Sequence, residues 1–226
     1  MPLSIFEAIL CALNTHPILN VPKSDYTFLD LSIHNSELNN INVASSKDLE
    51  AYIFNHIEKN NAKAAFGGYL EHRGIYKRST YFNEQNPKIE RDIHLGLDLW
   101  IEANTSVFSP LDGKIHSFKN NTNYGDYGPT IILQHQIDAF GFYSLYGHLS
   151  LESIENLKIG AYVKQGQQIA SLGTAKVNGD YPPHLHFQII KDIQDYEGDY
   201  PGVSNQLDLE FYKVNCPDPN LLLGLG

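Results

Sequence analysis

The sequence predicts a mainly β protein: an antiparallel sheet core with a small helical region on its N-terminal side. From about residue 67 to 190 the chain is a series of short apolar and aromatic runs separated by Gly, Asn, Asp and Pro, the punctuation of strands joined by turns. Two helical stripes lie before residue 60. Pairs of metal-competent side chains also recur at strand spacing: His94 with Asp98 and His184 with His186. Alternate residues of a strand face one side, so each pair shares a face, and two neighbouring strands would present four groups to one point.

Residues 3–14 read as an amphipathic helix, because Ile5, Phe6, Ile9, Leu10 and Leu13 recur on one face. Glu7 interrupts the run and no basic segment precedes it, which argues for a packing helix over a secretory leader. Residues 15–44 hold apolar pieces broken by Pro, Asn and Ser. A second helix begins at Ser45 or Ser46, with Asp48 in its first turn, and carries Tyr52, Ile53 and Ile57. This N-terminal region, residues 1–66, is too short for a confident core of its own and too apolar for a disordered tail, so it is expected to pack on the β region.

Gly67-Gly68 opens the second region, residues 67–226, with a stretch rich in aromatics and arginine that runs to Phe82. Strands are expected up to His135 and again in Phe142–Ser150, where His148 stands at the end of an aromatic and apolar run. Beyond residue 190, Asp192, Asp195, Glu197 and Asp199 lie in a turn-rich run that reads as a solvated loop face; it lacks the spacing of an EF-hand calcium loop.

Composition removes several classes of function. Sixteen basic against 26 acidic residues give a formal charge of −10. Residues 86–226 carry −8 of it. A surface this acidic, without a Lys/Arg stripe, repels a phosphate backbone, so nucleic acid is not an expected partner. Cys11 and Cys216 have no C-x-x-C neighbours and read as small packing residues. No run of eighteen apolar residues occurs, so membrane insertion is not expected, and the default location is the cytoplasm.

Imidazole plus carboxylate is a borderline ligand set that suits Zn²⁺, and three protein ligands with an open fourth position are what a hydrolytic site needs. The motifs His94-x-x-x-Asp98, Tyr146-x-His148-Leu and His184-x-His186, in that order, resemble those of the M23 metallopeptidases of LytM/lysostaphin type. Ser109-Pro-Leu-Asp-Gly113, Tyr127-Gly-Pro-Thr-Ile-Ile-Leu-Gln-His135 and Ile159 to Gly173 resemble the family's intervening turn, strand and glycine-bounded segments, so the likeness runs from about residue 90 to 190.

That resemblance implies a grooved β core with one Zn²⁺ per chain held by His94, Asp98 and His186, and with His148 and His184 as catalytic groups. It further implies a zinc-dependent endopeptidase or small-peptide hydrolase acting on a peptide or peptidoglycan-fragment substrate. The residues themselves leave open which histidine takes a proton and which steadies the oxyanion. No H-E-x-x-H helix offers a glutamate base.

Candidates for supporting or substrate contacts are Tyr146, expected on the face of His148; His135, at the end of the preceding strand; and Arg73 and Arg78, able with Arg91 to receive a carboxylate. His16, His34, His56, His72 and His116 have no motif support. Gly67-Gly-Tyr-Leu-Glu-His-Arg73 and Tyr181-Pro-Pro-His184 look like a branch of the family lacking secretion signals, and the two prolines stiffen the rim of the site.

Two other readings arise from the same residues. The glycine-bounded segments also resemble biotinyl and lipoyl carrier domains, but no Met-Lys-Met-like tip is present. A regulatory M23-like module that activates another hydrolase is the second, although such modules typically lose ligands and here all five histidine and aspartate positions are filled.

Overall fold

The structure is a computed structural model that describes residues 2–79 and 89–226. The end of the aromatic stretch, Thr80 to Phe82, lies outside the described residues. In chain order the strands are β1 (Tyr26–Phe28), β2 (Ala64–Gly67), β3 (Ile93–His94), β4 (Leu97–Trp100), β5 (Ser106–Phe108), β6 (Gly113–Asn121), β7 (Gly128–Ile137), β8 (Phe140–Gly147), β9 (Tyr162–Val163), β10 (Gln168–Ser171), β11 (His184–Ile190) and β12 (Val203–Ser204). The α-helices are α1 (Ile5–Ala12), α2 (Ser46–Lys59), α3 (Leu209–Asn215) and α4 (Asn220–Leu223). As the sequence predicts, the protein is mainly β with few helices.

Eight strands form the main sheet in the order β1-β2-β4-β11-β8-β7-β6-β9. Among the described residues of this sheet only β1 and β2 pair in parallel; the remaining neighbours are antiparallel. Two-stranded sheets join β5 to β10 and β3 to β12. Neither β1 nor β2 stands out in the sequence, because three and four residues are too few to display an alternation.

Both helices expected from the apolar stripes form, and their ends are set by caps. Ser4 accepts from the Glu7 N–H while the Glu7 carboxylate accepts from the Ser4 N–H, a reciprocal box that starts α1 at Ile5. Leu13 is already extended, so the helix stops short of residue 14. Ser45 caps α2 by accepting from the Asp48 N–H. Phe6 and Leu10 of α1, and Leu49, Ile53 and Ile57 of α2, are the buried faces.

All seven residues of β11 are buried, because both faces of this central strand are covered. Leu185, Phe187 and Ile189 point into the main core with Phe142, Tyr146 and α1's Phe6 and Leu10. His184, His186, Gln188 and Ile190 occupy the other face by strict alternation. There they are bordered by a cluster around α2 that includes Leu31, Trp100 and Tyr181, and by a second cluster that includes Tyr127, Leu145 and Tyr200. The candidate site sits between these two satellite clusters.

Candidate metal centre

Register places the site. In the antiparallel pair β4 and β11, His186 lies opposite Asp98 and His184 opposite Trp100. His94 reaches the same point from a separate strand: the chain breaks at Leu95-Gly96 between β3 and β4. Gly96 makes the break possible, since a Cβ there would lie 2.5 Å from the His186 ring. The relation between His94 and Asp98 is therefore a bend over the His186 imidazole, where the sequence spacing suggested one continuous strand face.

His94, Asp98 and His186 bring one ligand atom each to a common point. His94 Nε2 and His186 Nδ1 are 2.9 Å apart, and each is 3.3 Å from Asp98 Oδ1. The other ring nitrogens fix the tautomers: His94 Nδ1–H donates to the Gly68 carbonyl at 2.9 Å and His186 Nε2–H to Gln188 Oε1 at 2.9 Å. The facing nitrogens then both carry lone pairs, so their contact is no hydrogen bond between neutral rings. Three electron pairs converge, and Asp98 Oδ1 is buried with no hydrogen-bond partner. Bonds of about 2.0–2.1 Å to a tetrahedral ion separate ligand atoms by roughly 3.3 Å, so the triangle has the size of one zinc face.

Two further imidazoles adjoin it. His148 Nδ1–H donates to the Asn178 carbonyl at 2.8 Å and His184 Nδ1–H to the Pro182 carbonyl at 2.7 Å, which leaves the lone pair of each on Nε2. His184 Nε2 is 3.8 Å from Asp98 Oδ1, and the His148 and His184 rings are 4.2 Å apart. Trp100 stacks on His184 with ring centroids 4.0 Å apart. The stiff Pro182-Pro183 rim thus supplies a carbonyl that orients His184.

Electrostatics keep the His94, His148 and His184 rings neutral. Burial, with the Arg73 guanidinium beside it, pushes His94 down to about 4, and burial pushes His184 to about 4 as well. His148 lies well below the ordinary histidine range through burial and its histidine neighbours. Burial alone would raise Asp98, but His94 and the Arg73 guanidinium more than reverse it, so the carboxylate is ionised. Neutral imidazoles and an ionised carboxylate are the protonation states a divalent cation requires.

The remaining sequence candidates fall elsewhere. Tyr146 does not share a face with His148: it is buried in the main core, because β8 ends at Gly147 and His148 turns with φ +63°, which breaks the alternation. His135 pairs with Phe142 on the hairpin and is bound to the Asp112 carbonyl at 2.8 Å and to the Ser144 hydroxyl at 2.6 Å, away from the triangle. Arg73 is at the site, donating to Asp98 Oδ2 and to Glu71 Oε2, each at 2.5 Å. Arg78 donates to the Asp180 carbonyl at 2.7 Å and lies over the Tyr181 ring. Arg91 lines the cavity that the site opens into and donates from Nε to the Val203 carbonyl.

Several partners are not legible in the sequence. Gln188 is, since it lies two residues from His186 on the same strand face. The carbonyls of Gly68, Asn178 and Pro182 come from loops, and no side-chain pattern announces them.

This constellation can be compared with known proteins. Residues 92–198, just under half of the chain, match the model of peptidase family M23. Residues 92–198 belong to peptidase family M23. All three triangle residues, with His148 and His184, lie inside that M23 segment. The chain is also similar to the catalytic domain of lysostaphin from Staphylococcus simulans, at 26% identity over 63% of this chain and 99% of that one, with a TM-score of 0.38. Full lysostaphin aligns at 28% identity over 54% of this chain and 44% of its own length, with a TM-score of 0.37. A zinc-containing peptidase from Vibrio cholerae aligns at 28% identity over 46% of this chain and 31% of its own, with a TM-score of 0.35. The chain thus spans less than half the length of those two larger proteins. A comparison with curated proteins gives no match.

Proposed function

We propose that this protein is a zinc-dependent peptidase that hydrolyses peptide or peptidoglycan-fragment substrates, with His94, Asp98 and His186 as the zinc ligands. The observation that carries the reading is the triangle of lone pairs around an otherwise unpartnered, buried carboxylate oxygen. Such an arrangement is costly unless a cation completes it. A bound zinc ion supplies a Lewis acid that polarises a peptide carbonyl and acidifies water.

The chain's own groups do the rest. His148 and His184 are held by backbone carbonyls with their Nε2 lone pairs free, so either accepts a proton from the attacking water and, once charged, donates one to the departing amine or steadies an oxyanion. Trp100 holds the His184 ring flat and Tyr181 packs edge-on against the His148 ring. The site opens into a cavity of about 170 Å³ walled by Leu31, Ile75 and Tyr76 on one side and Tyr200 to Val203 on the other. This is small for a ligand pocket, which favours a slender peptide segment with small side chains.

Incubating the zinc-loaded protein with Gly-rich bridges, muropeptides and short peptides, followed by mass spectrometry, tests the proposal. Cleavage products that disappear with Asp98→Ala are the expected result. Zinc binding without turnover of any panel member would favour a binding or regulatory module instead.

A further inference from the structure

The segment Gly68 to Arg73 lies outside the family-matched residues 92–198, yet it touches two of the three ligands. Gly68 offers its carbonyl to His94 Nδ1–H. Its φ is +102°, and a Cβ there would run into the Arg73 guanidinium and lie 2.9 Å from His94 Nδ1, so only glycine lets the backbone come this close. Leu70 N–H and the Glu71 carbonyl pair with the His94 backbone at 2.9 Å each, and Arg73 N–H donates to the Asp92 carbonyl at 2.8 Å. The segment is stitched to the ligand-bearing strand along its length.

Arg73 closes the arrangement. Its Nη1 occupies Asp98 Oδ2, which leaves Oδ1 as the oxygen facing the two imidazoles. Its Nε is held by Glu71 Oε2, and Glu71 Oε1 in turn accepts from the Leu31 N–H at 3.0 Å. The guanidinium is 4% exposed and Asp98 1%. A carboxylate so buried needs a compensating charge if it is to stay ionised and aimed before a metal arrives. The fork of an arginine reaches two carboxylates from different nitrogens in fixed geometry, which a lysine ammonium does not reproduce.

We propose that Gly68 to Arg73 is the outer half of the metal centre, with Arg73 the positioning residue that aims Asp98 and Gly68 the group that aims His94. The inference rests on the zinc reading above. A guanidinium also repels a dication, and the proposal commits to the outcome of that contest: orientation of the carboxylate outweighs repulsion, because groups hydrogen-bonded behind metal ligands typically contribute 10- to 100-fold in affinity.

Zinc affinity by chelator competition and the visible absorption of the Co²⁺-loaded chain test this on the full-length protein. Arg73→Met is expected to bind zinc about 10- to 100-fold more weakly, with a changed Co²⁺ spectrum. Arg73→Lys should recover part of the loss, and Glu71→Gln should lose less in the same direction. Folded Arg73→Met that binds zinc as tightly as the wild type, or more tightly, overturns the proposal. If that variant does not fold, wild-type affinity and spectrum in both Arg73→Lys and Glu71→Gln overturn it. A wild-type chain that binds neither ion overturns the zinc reading and this proposal together, whereas unchanged variants of a zinc-binding wild type overturn this proposal alone.

Discussion

His94 and His186 each spend one ring nitrogen on a protein acceptor, and the nitrogens left over face Asp98. Removing a triangle residue should therefore act on metal content. Asp98→Ala and His186→Ala are expected to fall far below the roughly one zinc per chain that a three-ligand site holds, read by elemental analysis after gel filtration. His148→Ala and His184→Ala should keep their zinc and lose activity by about 10²-fold or more, the scale of a lost acid–base or oxyanion group; loss of metal from both would reverse the division of roles. His184 and His186 share a face of β11, as the two-fold spacing of a strand predicts, whereas His94 and Asp98 meet across a chain break that their spacing does not announce. Tyr146 was misplaced by the same pattern, since one left-handed residue, His148, ends it. His135 makes a different kind of prediction. Burial pushes it down to about 4, against an ordinary histidine value of about 6.5. Between those limits the unfolded chain binds the proton and the folded one does not, so stability is intact above about pH 6.5 and falls as pH drops toward 4. The slope is at most about 1.4 kcal/mol per pH unit for this one group. Denaturant titrations at pH 7 and pH 4.5 should give a smaller difference for His135→Gln than for the wild type, and equal differences would refute the linkage.

At the scale of elements, the break between β3 and β4 lets His94 and Asp98 converge from two strands onto His186. Gly96 sits under the His186 imidazole with no room for a methyl group, so Gly96→Ala must shift either the ring or the strand pair. Weaker zinc binding together with a lower melting temperature is the expected result; a variant matching the wild type in both would show that β11 yields without cost. The sequence announces glycines here only as strand punctuation, and the reason for this one appears when the facing ring is seen. The start of α2 is legible because caps are local, Ser45 standing three residues before Asp48, whereas the box that Ser4 and Glu7 form at α1 reads in the sequence only as an acid interrupting an apolar run. Ser4→Ala should cost about 1 kcal/mol, measured by thermal or urea unfolding.

At the scale of the whole molecule, the N-terminal 66 residues are woven into the sheet that carries the site. Residues of β2 pair with β4, Ala65 opposite Trp100 and Phe66 opposite Leu99, while β1 pairs with β2 at the sheet edge. These pairings were illegible in the sequence, where the helical stripes dominate and the strands are three and four residues long. The same region gives the site Leu31, one wall of its cavity, whose backbone N–H is tied to Glu71 behind Arg73 and Asp98. Deleting residues 1–66 would strip β4 of a neighbour and expose an edge beside Asp98, along with the apolar surface that α1 and α2 cover. We therefore expect the truncated chain to melt at a lower temperature and to aggregate. Whatever fraction stays folded should accept bulkier peptides, because one side wall of the cavity is gone. Melting temperature and the size distribution of cleaved peptides check both halves: a truncated protein unchanged in stability and in substrate range would make residues 1–66 an appendage, and a destabilised one with the same range would leave them a structural role without a part in selecting substrate.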